Sequence, residues 1–249
     1  MKPEEKEASK KYDFMAEFYH NWRTKENPRG WFYNEMLEMP ATLELLGDVK
    51  HKKILDFGCG TGIYAKLLTK KGAIVKGFDI SKEMIKIAKQ ENPKLDLIRG
   101  SGYKIPFKEK FDIVLAALVI DYFKDWDKVF KQIRKVLKKN GFFIFSIGNP
   151  VEECKKKIKI KGKIIKVLGD YFTERKIYGV WRNIRRKSIR IPTYHKTYEI
   201  IIKTIIKNGF EIMDYKDCFP LKKAKKLFPI DYKEYSKHPY FCVWKVRRK

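Results

Sequence analysis

The sequence predicts an α/β protein whose sheet is mostly parallel and covered by helices on both faces. Three observations carry this. Residues 51–150 alternate short apolar runs with segments of helical period, the pattern of parallel strands joined by helices. A strand-type run, Lys53-Ile54-Leu55-Asp56-Phe57, passes directly into a glycine turn, Gly58-Cys59-Gly60-Thr61-Gly62, and then into a helical segment beginning Ile63-Tyr64-Ala65. Phe111 to Leu118 has the continuous apolar character of a strand buried on both faces.

The elements follow in order. Residues 1–50 are helical in pattern and close at Gly47-Asp48. Ala73 to Phe78 is a second strand ending in an acid, Asp79, and Ser81 caps the next helix, with Met84, Ile87 and Ala88 on one face. Leu95 to Ile98 is a short third strand. After the fourth strand a helix runs from about Asp127 to Leu137, with Asn140-Gly141 as its C-cap, and Phe142 to Ile147 is the fifth strand. Lys155 to Ile191 alternates Lys with Ile and carries the run Tyr178 to Trp181; it reads as an inserted hairpin pair or an extended lid. Thr197 caps a helix from Tyr198 to Lys207 that stops at Asn208-Gly209, and Phe210 to Asp214 with Tyr240 to Val246 form a closing pair of strands.

Composition limits the function classes. With 249 residues and 44% hydrophobic content, the chain has ample material for a core, which excludes bulk disorder. Lys interrupts every apolar run, so none is long enough to cross a bilayer, and the opening MKPEEKEASKKYD lacks a charged-then-apolar signal pattern. The expectation is a soluble, cytoplasmic protein with no membrane partner. Cys59, Cys154, Cys218 and Cys242 stand singly, without a C-x-x-C pair or a His at ligand spacing, so neither a disulfide scaffold nor a metal site is expected. The net charge of +27 is uneven: residues 151–249 hold 28 Lys and Arg against 10 Asp and Glu. Such an excess favours anionic partners, although a heat-adapted composition produces it equally well.

The glycine turn and the acid after the second strand form the chemical signature. Glycines let the backbone approach a ligand at the carboxyl edge of the sheet, and a carboxylate there can accept both hydroxyls of a ribose. A dinucleotide fingerprint, G-x-G-x-x-G, would need its third glycine at position 63, which is Ile63. What stands here is D-x-G-x-G-x-G.

That pattern resembles the S-adenosylmethionine site of class I methyltransferases. The likeness extends through Tyr12-Asp13 with Ala16 and Tyr19, Ile54 to Gly62, Gly77-Phe78-Asp79-Ile80-Ser81 with Met84-Ile85 and Ala88, Gly100 to Phe107, Phe111-Asp112-Ile113-Val114, and Arg134 to Gly141. In order and spacing these cover roughly residues 12–150, and Pro192 to Thr197 and Asn208-Gly209-Phe210 also look familial. The resemblance implies a Rossmann-like sheet of seven strands, mostly parallel with one antiparallel C-terminal strand, and a lid segment inserted after the fifth. It implies an N-terminal helical cap over 1–50, a cofactor-binding core over 51–150, an insertion over 151–195 serving as substrate wall, and a closing helix and strands over 196–249.

Residue by residue, the resemblance implies that Gly58 and Gly60 face the aminoacyl part of the cofactor and that Asp56 organises the loop. Asp79 would hold the ribose, Ile80 would pack on adenine, Ser101 and Gly102 would meet the adenine edge, and Ala117 and Leu118 would lie beside the methionine amine. Tyr12 and Tyr19 would lid the cofactor. This chain departs from the family where Ser101 replaces a frequent Asp, where Asp121 stands at a frequent His, and where Asn149-Pro150 replaces a His-Pro pair. His195, with Tyr194 beside it, is the candidate substrate-side or basic residue, since an imidazole titrates near neutrality.

The implied activity is S-adenosylmethionine-dependent methyl transfer to a small-molecule acceptor, anionic acceptors included. Two alternatives stand beside it. Lys155-Lys156-Lys157 and Arg185-Arg186-Lys187, interleaved with Tyr171, Phe172, Tyr178 and Trp181, have the charge and rings that single-stranded RNA binding uses, which suits a tRNA or rRNA methyltransferase. A non-catalytic module that binds the cofactor is the third reading.

Overall fold

The computed structural model describes residues 1–24, 32–160, 162–184 and 187–249. Arg185 and Arg186 of the basic run lie outside the described residues.

A seven-stranded sheet forms the centre. Its strands are β1 (Lys53–Phe57), β2 (Ile74–Asp79), β3 (Asp96–Arg99), β4 (Phe111–Ala117), β5 (Leu137–Gly148), β10 (Phe210–Asp217) and β11 (Phe241–Arg248), in spatial order β10-β11-β5-β4-β1-β2-β3. The pairs β1–β2, β2–β3, β1–β4 and β4–β5 are parallel, and β11 runs antiparallel to both β5 and β10. This is the mostly parallel sheet with one antiparallel strand that the resemblance implies. The chain winds outward from β1 to β3 on one side and to β10 on the other, which leaves a crevice at the carboxyl ends of β1 and β4, where open α/β sheets bind ligands.

Strand alternation builds two apolar layers. Ile54, Ile113, Ile144 and Val243 point to one face and meet helices α2 (Met39–Leu46) and α3 (Ile63–Lys70) through Leu45, Ala65 and Leu68. Leu55, Val114, Ala116, Phe143 and Phe145 point to the other and meet α5 (Trp126–Val136) and α7 (Tyr198–Lys207). Helix α5 shows why such segments fold as they do. Trp126, Val129, Phe130, Ile133 and Val136 form one buried stripe, and the Asp125 side chain caps the first turn by accepting from the Lys128 N–H. In α4 (Lys82–Glu91) Ser81 is the N-cap, and Met84, Ile85 and Ala88 are buried while Ile87 is half-buried. Thr197 caps α7 as the sequence predicts.

One boundary differs from the sequence reading. Asn140-Gly141 is not a helix C-cap: α5 ends at Val136, and the fully buried Leu137 already pairs with Phe111 as the first residue of β5. The register then shifts so that Phe142 pairs with Ile113, and Asn140 takes φ +61° in the intervening bend. Burial of Leu137 holds the chain on the sheet, so the Asn-Gly pair bends a strand instead of ending a helix.

The insertion is a pair of hairpins, β6 (Lys155–Ile160) with β7 (Lys163–Leu168) and β8 (Arg175–Ile184) with β9 (Lys187–His195), each a separate two-stranded sheet. The short helix α6 (Pro150–Glu153) leads into them. The β8–β9 hairpin packs on the N-terminal helix α1 (Pro3–Thr24), with Met15, Ile184 and Ile191 buried between them. A π-helical segment, Phe32–Glu38, runs into α2, and the short helices α8 (Ala224–Leu227) and α9 (Pro229–Tyr235) lie between β10 and β11. Among the described residues no helix is long and apolar enough to cross a membrane.

Candidate active site

The site begins where β1 must turn into α3. Gly58 has φ +74°, and a Cβ added there would lie 2.5 Å from Val119 Cγ2, so both conformation and space require glycine. The Gly58 and Cys59 N–H groups both donate to the Phe78 carbonyl, at 2.8 and 2.9 Å, which ties the turn to the end of β2. One residue on, the Asp79 carboxylate fixes the turn from the side: Oδ2 accepts from the Gly60 N–H and Oδ1 from the Ser81 N–H, each at 2.9 Å. Burial pushes the Asp79 pKa up while these backbone donors oppose the rise. Each oxygen keeps acceptor capacity toward the crevice, the arrangement a vicinal diol needs.

Two cavity lobes meet at this turn and share Gly58, Gly60 and Leu118. The larger is an apolar slot between Phe57, Phe78, Ile80, Met84, Val119 and Phe123, with Asp79 on its wall and Glu5 also in its lining. The smaller is polar and lined by Arg23, Asn34, Glu38, Asp56, Thr61 and Tyr64, with Ala117 alongside. Glu38 accepts there from the Thr42, Tyr64 and Ser146 hydroxyls.

Other groups in the polar lobe are not saturated. Arg23 donates to Glu35 at 2.9 Å and to the Tyr19 hydroxyl at 3.2 Å, yet its Nε is buried without a partner, as are Asp56 Oδ2 and Thr61 Oγ1. Burial raises the Asp56 carboxyl to about 7, helped by the nearby Asp79 charge. Burial disfavours the charge on Arg23, but Tyr19 and Glu35 outweigh it and raise the guanidinium pKa. An unpaired cation edge, an unpaired carboxylate oxygen and an unpaired hydroxyl in one lobe complement the carboxylate and ammonium of an amino acid. The apolar slot with its acid fits a nucleoside. Together the lobes fit an adenosyl amino acid joined across the glycine turn.

Helix α1 roofs this cavity, and the β8–β9 hairpin packs against that helix. The Ser81 hydroxyl donates to Asp13 at 2.6 Å, the Glu83 N–H donates to the same oxygen at 3.2 Å, and the Ser9 hydroxyl donates to the Ile80 carbonyl at 3.3 Å. Tyr12 and Tyr122 share a hydroxyl–hydroxyl bond of 2.5 Å at the cavity wall. Tyr19 packs at a tilt and Trp22 edge-on against Trp181 of β8.

A family model described as a methyltransferase domain matches residues 55–145, the segment that carries the glycine turn, Asp79 and strands β1 to β5. Over those residues the chain carries a methyltransferase domain, and its fold is that of S-adenosylmethionine-dependent methyltransferases of known structure. The methyltransferase is 34% identical over 105 residues to a ubiquinone biosynthesis O-methyltransferase of Pelagibacter ubique, covering 41% of this chain and 44% of that one. It is 36% identical over 103 residues to a demethylmenaquinone methyltransferase of Chlorobaculum tepidum, covering 41% and 42%. These alignments span less than half of either relative. A solved structure of a putative S-adenosylmethionine-dependent methyltransferase from Listeria monocytogenes shares the fold with a TM-score of 0.73 at 24% identity, covering 85% of this chain and 96% of that one.

The structure gathers most of the residues the sequence singled out. Tyr12, Gly58, Gly60, Asp79, Ile80, Gly102 and Leu118 line the large lobe of the methyltransferase, and Asp56 and Ala117 line the polar one. Others fall elsewhere. Ser101 lines neither lobe; its hydroxyl donates to Glu5 at 2.5 Å and accepts from the Tyr103 N–H at 3.2 Å, so it is spent on the loop. Tyr19 is a second-layer ring behind Tyr12, its hydroxyl accepting from Arg23.

His195 requires a correction. It is 1% exposed, lines neither lobe, and has both ring nitrogens engaged, with Nδ1 3.0 Å from Glu153 Oε2 and Nε2 2.9 Å from the Tyr171 carbonyl. Cys154 Sγ lies 3.4 Å from Nε2. This imidazole knots the end of β9 to α6 and is not placed to accept a substrate proton. Tyr194 lies half-buried on the opposite side of β9, across from Lys176, and also misses the cavity. Asp121 accepts from the Gly148 N–H at 2.9 Å, and burial raises it strongly, with Glu153 adding to the rise. Asn149 donates to Tyr198 and Asp217 and caps α6.

Sequence reading missed Arg23, Glu5, Glu38 and Tyr122, all cavity-lining. The first three sit in helical segments with no motif; only their position upstream of the glycine turn hinted at a cap. Of the rings proposed for RNA stacking, Trp181 turns inward against Tyr19 and Trp22, and Tyr171 is half-buried, its hydroxyl accepting from the Tyr198 N–H. Phe172 is exposed, and Tyr178 is covered by the Arg190 guanidinium at 4.6 Å from its ring centre.

Proposed function

We propose that this methyltransferase acts on a small molecule bearing an acidic hydroxyl or other pre-ionised nucleophile, held between the glycine turn and the aromatic roof. In this reading residues 1–50 cap the site, 51–150 bind the cofactor, 151–195 form the substrate wall, and 196–249 complete the sheet. Arg23 and Asp56 hold the amino-acid end of the cofactor, Asp79 holds the ribose, and Ile80, Met84 and Phe123 flank the purine. Bound in this way, S-adenosylmethionine supplies a methyl group activated on a sulfonium.

What the chain itself contributes is alignment and dryness, which suffice for an in-line displacement. No His lines either lobe among the described residues, and burial raises the pKa of both Tyr12 and Tyr122. Those hydroxyls stay protonated and one donates to the other, so the pair offers a single proton to orient an acceptor oxygen and takes none from it. An acceptor that needs no strong base follows, such as a phenol, enol or carboxylate. The names of the two relatives, a ubiquinone biosynthesis O-methyltransferase and a demethylmenaquinone methyltransferase, support a small-molecule acceptor. The packing of Trp181 supports it too, since that ring turns inward against Tyr19 and Trp22 instead of presenting a stacking platform.

The observation that carries the reading is the trio of unpaired atoms in the polar lobe, Arg23 Nε, Asp56 Oδ2 and Thr61 Oγ1. Calorimetry with S-adenosylhomocysteine and with 5′-methylthioadenosine tests it, because the second lacks the amino-acid head. Arg23→Ala should weaken S-adenosylhomocysteine binding by about 10–100-fold, the worth of a charge-assisted hydrogen bond, and leave methylthioadenosine unchanged. Equal loss for both ligands removes the assignment. Labelled methyl appearing in bulk RNA and not in the small-molecule fraction of an extract removes the acceptor class.

A further inference from the structure

Residue 101 offers no acid to a purine edge, and the structure supplies one from the far end of the chain. Glu5, in the first turn of α1, is 4% exposed and lies in the lining of the large lobe. Its Oε1 accepts from the Ser101 hydroxyl and, at 3.1 Å, from the Gly102 N–H; its Oε2 accepts from the Lys2 N–H at 3.2 Å. All three partners are neutral donors. A carboxylate offers about four acceptor sites, so one remains on Oε2. The adjoining Glu4 reinforces the contact by accepting from the Tyr103 hydroxyl at 2.6 Å. The first turn of α1 is therefore pinned twice to the loop 100–104.

The direction of the lobe decides what that spare acceptor meets. Asp79 marks the ribose position beside Gly60, and the same slot is lined by Ile80, Met84, Gly100 and Gly102, the last of which holds Glu5 through its N–H. A base attached to the ribose points its far edge at this loop. Gly102 cannot be enlarged, since a Cβ there would lie 2.4 Å from Phe123 and 2.6 Å from Phe57, so the loop sits tightly on those rings with its N–H held by Glu5.

We infer that Glu5 is the specificity-determining residue for the purine, accepting the exocyclic amino group of adenine in place of the acid that Ser101 lacks. The inference rests on the cofactor placement proposed above. Ser101 becomes a positioning residue: its hydroxyl proton fixes the Glu5 carboxylate. A hypoxanthine ring, which has a carbonyl oxygen where adenine has its amino group, would set an acceptor against a buried carboxylate and be rejected, as polar sites reject ligands that leave their groups unpaired.

The test compares S-adenosylhomocysteine with S-inosylhomocysteine by calorimetry on the full chain, with unliganded thermal unfolding as the check on folding. The wild type should prefer the adenosyl ligand by about 10–100-fold, the range of a hydrogen bond to a charged group. Glu5→Gln keeps the shape and the bonds to Ser101 and Gly102 but offers an amide donor, so the preference should fall to about threefold or less. The double variant Glu5→Ala with Ser101→Asp moves the acid onto the loop and should restore the preference. An unchanged ratio in folded Glu5→Gln overturns the inference, as does tighter adenosyl binding in that variant, which would mean that the carboxylate occupies the purine's own place. A double variant that fails to recover discrimination overturns it as well, by showing that Glu5 acts only through loop position. If the wild type binds neither nucleoside, the cofactor placement fails and takes this inference with it.

Discussion

The floor of the cavity and its roof are held by different forces. In the floor, β1, β2 and β4 are joined by parallel backbone ladders, and Ile54, Leu55, Val114 and Leu115 are fully buried, so the glycine turn inherits the rigidity of the sheet. In the roof, α1 is fastened mainly through side chains: Asp13 to Ser81, Glu5 to Ser101, Glu7 to Lys176, Tyr12 to Tyr122. The Glu7–Lys176 pair is about one-third exposed on each side, and such a pair contributes at most about 1 kcal/mol. A lining built from burial cannot move without losing its core, whereas one built from exchangeable side-chain bonds can release and re-form. The floor is therefore the rigid part of the lining, and the contacts that α1 contributes, Glu5 and Arg23 among them, are the adjustable part.

The largest expected effect breaks the floor. Gly58→Ala forces a Cβ against the stiff Val119 side chain at a left-handed φ, a strain of about 2–4 kcal/mol. Cofactor affinity measured by calorimetry should fall by about 100-fold or more, with a lower Tm. A tolerated substitution would show that the turn is not held by the sheet.

The next effect is a pH dependence of the polar lobe. The Asp56 carboxyl is raised to about 7 in the folded protein, above the ordinary carboxylate value. Between about pH 4 and 7 the unfolded chain binds fewer protons than the native state, so the stability of the ligand-free protein falls as pH climbs through that window. Binding of a ligand ammonium runs the other way because it favours ionised Asp56. The Kd for S-adenosylhomocysteine should drop by up to about tenfold per pH unit below pH 7 and level off above it, with one proton released. In Asp56→Asn the slope should vanish; a slope that persists assigns the titration to another group.

The smallest binding effect belongs to the roof's anchor. His195→Asn should lower stability by about 1–3 kcal/mol in denaturant unfolding, because Glu153 and the Tyr171 carbonyl lose buried partners. The Kd for S-adenosylhomocysteine should stay within about threefold, since His195 touches neither lobe. A large rise in Kd at unchanged stability would restore His195 to the site.

The same division explains how much of the site could be read without coordinates. Gly58, Gly60, Asp79 and Ile80 were legible because each sits at a strand end or in the turn after it, and a strand end at the carboxyl edge of a parallel sheet faces the crevice whatever lies around it. Ser81 and Thr197 were legible as caps for an equally local reason. Asn140-Gly141 was misread because a cap signal is weaker than the burial of Leu137 three residues earlier. His195 was misread because its fate depends on Glu153 and Tyr171, contacts that no spacing rule connects. Arg23 and Glu5 went unseen because their roles depend on where α1 comes to rest, and Glu5 meets Ser101 across 96 positions of sequence.

The sequence by itself determined the wound sheet, the glycine turn and the acid beside it, because these follow from hydrophobic period, turn chemistry and backbone reach over a few residues. Tertiary packing alone decided that a carboxylate from the first turn stands at the loop after β3, that an arginine from the end of the same helix enters the polar lobe, and that the one suggestive histidine is buried away from both. Those outcomes turn on how desolvated charges find partners once the chain is closed, and that pairing is settled between segments far apart in sequence.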